Sequence, residues 1–243
     1  MLKLMLNTKD HHRIATLHYK QGHKKVVVLA HGFFNNKDVY LFQEISKELS
    51  KHYDVVAFDF RGHGKSSGLF SWTSKESADI QAVLAYVKDF GYEAIALMGF
   101  SLGAAISLIE AAQNQEIKTV IAVSAPYDFW KIDYHFWEPG MWEDLKLNLG
   151  YKGKGKGVIP GNPWESKVTP ISIVDKIAPR PVLFIHGSDD WLINSRHSKE
   201  LYKKAKEPKK IEIIEKGGHA EKIYDDHPKA FMKVCLDWLE EYL

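Results

Sequence analysis

Six short runs of β-branched and aliphatic residues, spaced by stretches long enough for a helix, set the first limit on what this chain can fold into. The clearest is Lys25–Ala30, Lys-Val-Val-Val-Leu-Ala, which is apolar throughout after its first residue. A strand with one face in water alternates polar and apolar residues. An unbroken apolar run suits a strand covered on both faces, as in a parallel sheet. The same strand-then-loop rhythm recurs at 54–60, Ala94–Phe100, 119–124, 181–186 and 210–215. Between these runs, 74–90, Leu102–Gln113, 195–205 and 228–243 have the length and apolar spacing of helices that cover a sheet. Alternating strand and helix predicts an α/β fold with a mostly parallel central sheet and helices on both faces. At the amino end, 2–6 and Arg13–Tyr19 flank the turn-prone Asn7-Thr8-Lys9-Asp10. They predict an opening β-hairpin, which brings the sheet to about eight strands.

At 243 residues a single domain, 1–243, accounts for the chain. Its 45% hydrophobic and 26% charged residues are those of an ordinary globular protein with its own core. One segment, 126–180, breaks the rhythm. Phe129, Trp130, Tyr134, Phe136, Trp137 and Trp142 crowd into it ahead of a glycine-lysine tract and several prolines. It reads as a small aromatic-rich cap inserted over strand ends, where open α/β sheets bind ligands.

Lys and Arg total 33 against 31 Asp and Glu, and the basic residues are scattered, so nucleic acid is not an expected partner. The one cysteine, Cys235, lies in an apolar pattern that suits packing, and it excludes an intramolecular disulfide. Residues 1–6 meet Asn7, Lys9 and Asp10 too soon for a signal-peptide core, and no stretch reaches the ~20 apolar residues of a membrane span. The expectation is a cytoplasmic protein.

The chemistry concentrates where strands end. Gly99-Phe100-Ser101-Leu102-Gly103 is a Gly-x-Ser-x-Gly pentapeptide preceded by a buried strand and followed by a helix. That is the setting of a nucleophile elbow, in which a sharp turn holds the serine hydroxyl proud of the sheet beside a helix amino end. Ser101 is therefore the candidate nucleophile, and Leu102 N–H a candidate oxyanion donor. A serine hydroxyl needs a base to take its proton and a carboxylate to orient that base. Both follow later strands: His186-Gly187-Ser188-Asp189-Asp190 after 181–186, and Gly217-Gly218-His219 after 210–215. The order serine, acid, histidine is the one this topology uses. His219 is the candidate base, and Asp190 is preferred to Asp189 as its carboxylate, because Asp189 is equally able to cap the next helix or face solvent. The second oxyanion donor is expected on the loop after the first parallel strand, His31-Gly32-Phe33-Phe34, at Phe33 N–H.

Other patterns carry less. His11, His12, His18, His23, His52, His135, His197 and His227 read as surface or loop residues. His31, His63, His186 and His219 fall near strand ends, but none forms an i, i+4 pair with a carboxylate between, so no metal site is predicted. Asp59-Phe60-Arg61-Gly62-His63-Gly64 lacks the spacing of a phosphate loop and predicts a structural turn with an internal Asp59 to Arg61 contact. The tract 150–157 lacks the Ser or Thr of a Walker loop and predicts a flexible surface loop.

Through His31-Gly32-Phe33, Asp59 to Gly64, Gly99 to Gly103, His186 to Asp190 and Gly218-His219, the chain resembles the α/β-hydrolase superfamily across nearly its whole length. Within it, the chain is similar to the group of bacterial carboxylesterases, feruloyl esterases, monoacylglycerol lipases and serine aminopeptidase-like hydrolases. The resemblance implies a serine hydrolase that needs no cofactor and acts on a small-molecule ester. In it Ser101 attacks, Asp190 orients His219, and Phe33 and Leu102 bind the oxyanion. Thioesterase, lipase and peptidase activities share that triad. A ligand receptor on the same fold and a nucleotide-binding doubly wound domain are the rivals outside it.

Overall fold

A computed structural model describes residues 1–132 and 157–243 of the chain. The opening hairpin forms as expected, β1 (Leu2–Asn7) against β2 (Arg13–Tyr19), with Asn7 opposite Arg13. The parallel strands follow as β3 (Lys25–Ala30), β4 (Asp54–Phe58), β5 (Ala94–Phe100), β6 (Ile117–Val123), β7 (Val182–Gly187) and β8 (Lys209–Ile214). They form one eight-stranded sheet in the order β1-β2-β4-β3-β5-β6-β7-β8. Only the β1-β2 and β2-β4 pairs are antiparallel.

Seven α-helices accompany the sheet among the described residues: α1 (Tyr40–Leu49), α2 (Ser77–Asp89), α3 (Leu102–Gln113), α4 (Pro170–Ile173), α5 (Arg196–Lys204), α6 (Lys222–Asp226) and α7 (Pro228–Tyr242). The period-2 alternation of a strand divides the β-branched runs between two cores. Val26, Val28 and Ala30 of β3 pack with Ile80 and Val83 of α2, Ile106 of α3 and Leu201 of α5. Val27 and Leu29 pack on the other side with Phe42 and Ile45 of α1 and with Phe231, Cys235 and Leu239 of α7. Cys235 is fully buried, in the packing role its pattern suggested.

Helix α1 is an addition to the sequence reading. Its buried Leu41, Phe42, Ile45 and Leu49 carry a helical period. Its start carries no side-chain cap, and the polar Asn35-Asn36-Lys37-Asp38 before it resembles continued loop.

Three local readings are corrected. Arg61 does not pair with Asp59. Its guanidinium forks onto Asp79 at 2.7 and 2.9 Å and reaches Asp10 at 2.7 Å. Asp59 instead accepts from Lys37 Nζ at 2.7 Å and from Lys65 N–H at 2.8 Å, so each charge meets a partner from another segment. His18 and His197 are not surface residues: both are buried, His18 bonded to the hydroxyls of Tyr86 and Tyr92 and His197 stacked on Tyr127. Most of the tract 150–157, together with His135, lies outside the described residues. Among those described, no helix is long and apolar enough to cross a membrane.

Because β4 and β5 lie on opposite sides of β3, the chain leaves β3 and β5 toward opposite faces. A crevice therefore opens at their carboxyl ends.

Candidate active site

Ser101 stands in that crevice, between the last residue of β5 and the first of α3, with φ +53° and ψ −122°. This backbone is unfavourable for any residue with a side chain and is held by its surroundings. Ser101 N–H donates to Val123 O at 2.8 Å. The flanking glycines are required by space: a Cβ on Gly99 would lie 2.5 Å from Gly103 O, and one on Gly103 would lie 2.2 Å from His31 O. Without them α3 could not close onto the ends of β3 and β5.

The loops after β7 and β8 are pressed together beside it. Asp189 N–H donates to Gly217 O at 3.0 Å and Ser188 N–H to Ile214 O at 2.9 Å. This brings Asp190 and His219 into contact, with His219 Nδ1 at 2.8 and 2.9 Å from the two carboxylate oxygens. Asp189 is exposed and takes the Ser188 hydroxyl instead. The other ring nitrogen, His219 Nε2, lies 3.0 Å from Ser101 Oγ. The His219 loop is pinned in turn by Ala220 N–H donating to Ser124 Oγ at 3.1 Å, and by Glu221, which accepts from the Asn35 side chain.

Proton placement follows from the partners. A carboxylate only accepts, so Nδ1 carries the proton and Nε2 is left bare toward the Ser101 hydroxyl. Burial alone would raise the Asp190 carboxyl. The imidazoles of His219 and His186 beside it outweigh that and hold it below the usual carboxylate range. Asp190 also accepts the N–H groups of Leu192 and Ile193, at 3.0 and 2.8 Å.

Opposite lies the loop after β3. A Cβ on Gly32 would come within 3.0 Å of Ser101 Cβ, so this backbone runs directly against the serine. His31 accepts Phe60 N–H on Nε2 at 3.0 Å, and so carries its proton on Nδ1, which donates to Gly32 O at 2.7 Å. In a planar trans peptide C=O and N–H point oppositely, so fixing the Gly32 carbonyl also fixes the direction of Phe33 N–H. Burial lowers the His31 pKa to about 4, partly offset by the Gly32 carbonyl, and keeps the ring neutral. Among the described residues, neither Phe33 N–H nor Leu102 N–H donates a hydrogen bond. Leu102 is the first residue of α3, where an amide has no partner within the helix.

The Phe33 ring opens an aromatic row: Trp72 at 5.0 Å between centroids, Phe129 at 5.2 Å from Trp72, Trp130 at 5.2 Å from Phe129, and Trp164 stacked on Trp130 at 5.4 Å. A cavity of about 230 Å³ lies at its far end, lined by Thr73, Asp128, Phe129, Trp130, Lys167 and Thr169. Of the aromatic residues singled out in 126–180, Tyr134, Phe136, Trp137 and Trp142 lie outside the described residues. Two contributors escaped the sequence reading, Trp72 and His186. Trp72 lies in an unpatterned loop. His186 stands four residues before Asp190, a spacing that carries meaning only once the loop is seen to fold back. Among the described residues no group of three or more His, Cys, Asp or Glu side chains is placed to hold a metal ion.

The strand order, the elbow and the loops that converge on it are those of an α/β hydrolase. The sequence profile of the alpha/beta hydrolase fold family matches residues 25–150, and the chain belongs to that family. YfhR, an uncharacterised protein of Escherichia coli K12, is 26% identical over 220 residues, which cover 88% of this chain and 69% of YfhR. A carboxylesterase of Bacillus subtilis 168 is 25% identical over 216 residues, 82% of this chain and 86% of its own. The solved structure of the Pyrococcus furiosus esterase Pf2001 superposes with a TM-score of 0.78 at 20% identity, over 99% of this chain and 92% of that one.

Proposed function

We propose that the protein is a serine hydrolase that cleaves carboxylic esters through an acyl-enzyme on Ser101. The observation that carries this reading is the unbroken line from Asp190 through His219 Nδ1 and Nε2 to Ser101 Oγ, with contacts of 2.8 and 3.0 Å. His219 takes the Ser101 proton as the hydroxyl oxygen bonds to the ester carbonyl carbon. The developing oxyanion accepts from Phe33 and Leu102 N–H, each worth about 3 kcal/mol of barrier. Collapse of the tetrahedral intermediate breaks the C–O bond to the alcohol, which leaves with the proton from His219. Water then attacks the acyl carbon while His219 takes its proton, and collapse of the second tetrahedral intermediate breaks the acyl–Oγ bond, releasing the carboxylic acid as His219 returns the proton to Ser101. Asp190 holds the Nδ1–H tautomer and stabilises the transient imidazolium. The residues of the line supply the proton transfers and the nucleophile, so the chemistry calls on no cofactor.

The aromatic row that begins at Phe33 supports small to medium apolar or aromatic acyl groups as the substrate class, with 126–180 as a cap over the site. The likeness to a Bacillus carboxylesterase agrees with an ester substrate. The test is a panel of p-nitrophenyl esters of increasing acyl length, with a feruloyl ester, a thioester and an aminoacyl amide alongside. Ester turnover in the wild type and its loss in Ser101→Ala are expected. Turnover that survives Ser101→Ala overturns the mechanism. Failure of the folded wild type to label at Ser101 with a fluorophosphonate points instead to a binding protein on this fold.

A further inference from the structure

Asp190 is shared between two imidazoles, and the mechanism uses only one. His186, the fifth residue of β7, is fully buried, and its Nε2 lies 3.1 Å from Asp190 Oδ2 and 2.7 Å from Ile193 O. Both neighbours are acceptors, so Nε2 must carry the proton. Nδ1 is then bare and accepts the hydroxyl of Ser198, buried in α5, at 2.6 Å. Ser198 thereby fixes the tautomer of His186 as Asp190 fixes that of His219.

The contacts close a ring. His186 N–H holds the Ile193 carbonyl while Ile193 N–H, with Leu192 N–H, donates to Asp190 Oδ1. Oδ2 receives the proton of His219 and faces that of His186. Removing His186 leaves a buried carboxylate short of a donor and frees the short loop that carries it, the kind of loss that is costly for a charged group. The chain of contacts runs from α5 through Ser198, His186 and Asp190 to His219 and Ser101.

We propose that His186, locked by Ser198, is a positioning residue that holds Asp190 in register with His219 and so sets the rate of the serine hydrolase reaction. The inference rests on the serine hydrolase reading above and goes beyond it in assigning His186 and Ser198 a share in turnover.

The experiment compares wild type, His186→Phe, His186→Gln and Ser198→Ala with p-nitrophenyl butyrate, with active sites counted by fluorophosphonate titration. His186→Phe is expected to lower kcat per titrated site about ten- to a hundredfold, the scale of a small misplacement in a catalytic group, with KM within about twofold. His186→Gln, whose amide N–H can take the place of Nε2–H, is expected to recover most of the loss. A folded His186→Phe with kcat per site near wild type, or a loss that is only a loss of titratable sites, overturns the proposal. If His186→Phe does not fold, Ser198→Ala decides: a fall in kcat per site supports the positioning chain, and an unchanged kcat overturns it. Turnover that persists in Ser101→Ala removes the hydrolase reading itself, and that control tells the two failures apart.

Discussion

Two buried histidines at opposite ends of the sheet are built from the same parts. At the amino end of the parallel strands His18 lies between hydroxyls, Nδ1 to Tyr86 at 2.9 Å and Nε2 to Tyr92 at 2.8 Å, and the Tyr92 hydroxyl donates to Asp54 at 2.7 Å. At the carboxyl end His219 lies between the Ser101 hydroxyl and the Asp190 carboxylate, with no group between ring and carboxylate. The His18 arrangement is closed. Tyr92 donates to Asp54, so it accepts from His18 Nε2–H, and the bare Nδ1 accepts from Tyr86. The second Asp54 oxygen takes the N–H groups of Gln21, Gly22 and His23. The His219 arrangement ends at the Ser101 hydroxyl, and among the described residues the Phe33 and Leu102 N–H groups of the flanking loops make no hydrogen bond. A hydroxyl, an imidazole and a carboxylate do not by themselves make a reactive site. What separates the two is the carboxylate set directly on the far ring nitrogen of His219, where His18 has Tyr92 between, and the Phe33 and Leu102 N–H groups of the neighbouring loops, which make no hydrogen bond among the described residues.

The largest expected effect tests that division directly. His219→Gln is expected to lower ester turnover by about a thousandfold or more while leaving the melting temperature near wild type. His18→Leu, which takes a ring partner from two half-buried tyrosine hydroxyls and weakens the surroundings of Asp54, is expected to cost about 1–3 kcal/mol of stability. Its kcat at a temperature where it stays folded is expected near wild type. Denaturant titration and steady-state kinetics on both variants measure the four quantities. Equal loss of activity in folded His18→Leu breaks the distinction between the two ends.

A smaller effect is shared by buried rings of both ends, and pH reveals it. Burial lowers the His31 pKa to about 4 from 6.5, partly offset by the Gly32 carbonyl. Burial likewise lowers His63 to about 3 and depresses His18. These groups are bases kept neutral in the folded chain, so between the folded and unfolded values the unfolded chain binds more protons. The contribution of these rings is therefore full above pH 6.5 and falls as pH drops toward 4. By linkage His31 accounts for about 3 kcal/mol of that loss. Asp79 works the other way: burial, partly offset by Arg61, raises its carboxyl to about 6, so its contribution falls as pH rises. Urea titrations of wild type and His31→Asn from pH 4 to 7 isolate the ring, and the stability difference between the two is expected to change by about 3 kcal/mol. Parallel profiles contradict neutral burial of His31.

These two tests also mark where sequence reading stops. The strands were legible because an apolar run such as Val26 to Ala30 admits few environments other than a doubly covered sheet. Ser101 and His219 were legible as candidates because each follows a strand-like run with glycine beside it, and position after a strand carries the placement even for the half-buried edge strand β8. Asp190 against Asp189 was a preference only, since neighbours differ in which way the loop turns them. The hydrogen bond from Asp189 N–H to Gly217 O, which sets that turn, joins residues far apart in sequence. His18 was misread for the same reason: its partners Tyr86 and Tyr92 come from α2 and the approach to β5, and nothing adjacent to His18 announces them. The expected Asp59 to Arg61 pair failed because proximity in sequence is a weak guide when Asp79, Asp10 and Lys37 compete from other segments.

The smallest effect bears on how Ser101 is held at the carboxyl end. At the amino end, left-handed backbone falls on Gly22 and Gly91, where it costs little. At the carboxyl end it falls on Gly62, Gly64 and Gly68 and also on residues with side chains, among them Phe34, Ser101, Ser124 and Ala220. At Ser101 the φ of +53° is stored strain that aims the hydroxyl at His219 rather than along the helix. Ser101→Ala and Ser101→Gly both remove the hydroxyl, but only glycine relieves the backbone. Relief outweighs the extra freedom glycine brings to the unfolded chain, so Ser101→Gly is expected to exceed Ser101→Ala in stability by about 1 kcal/mol. Urea denaturation of the two inactive variants measures the difference without any contribution from turnover. An alanine variant as stable as the glycine one means that the turn holds Ser101 without strain, and the contrast between the two ends then rests on hydrogen bonding alone.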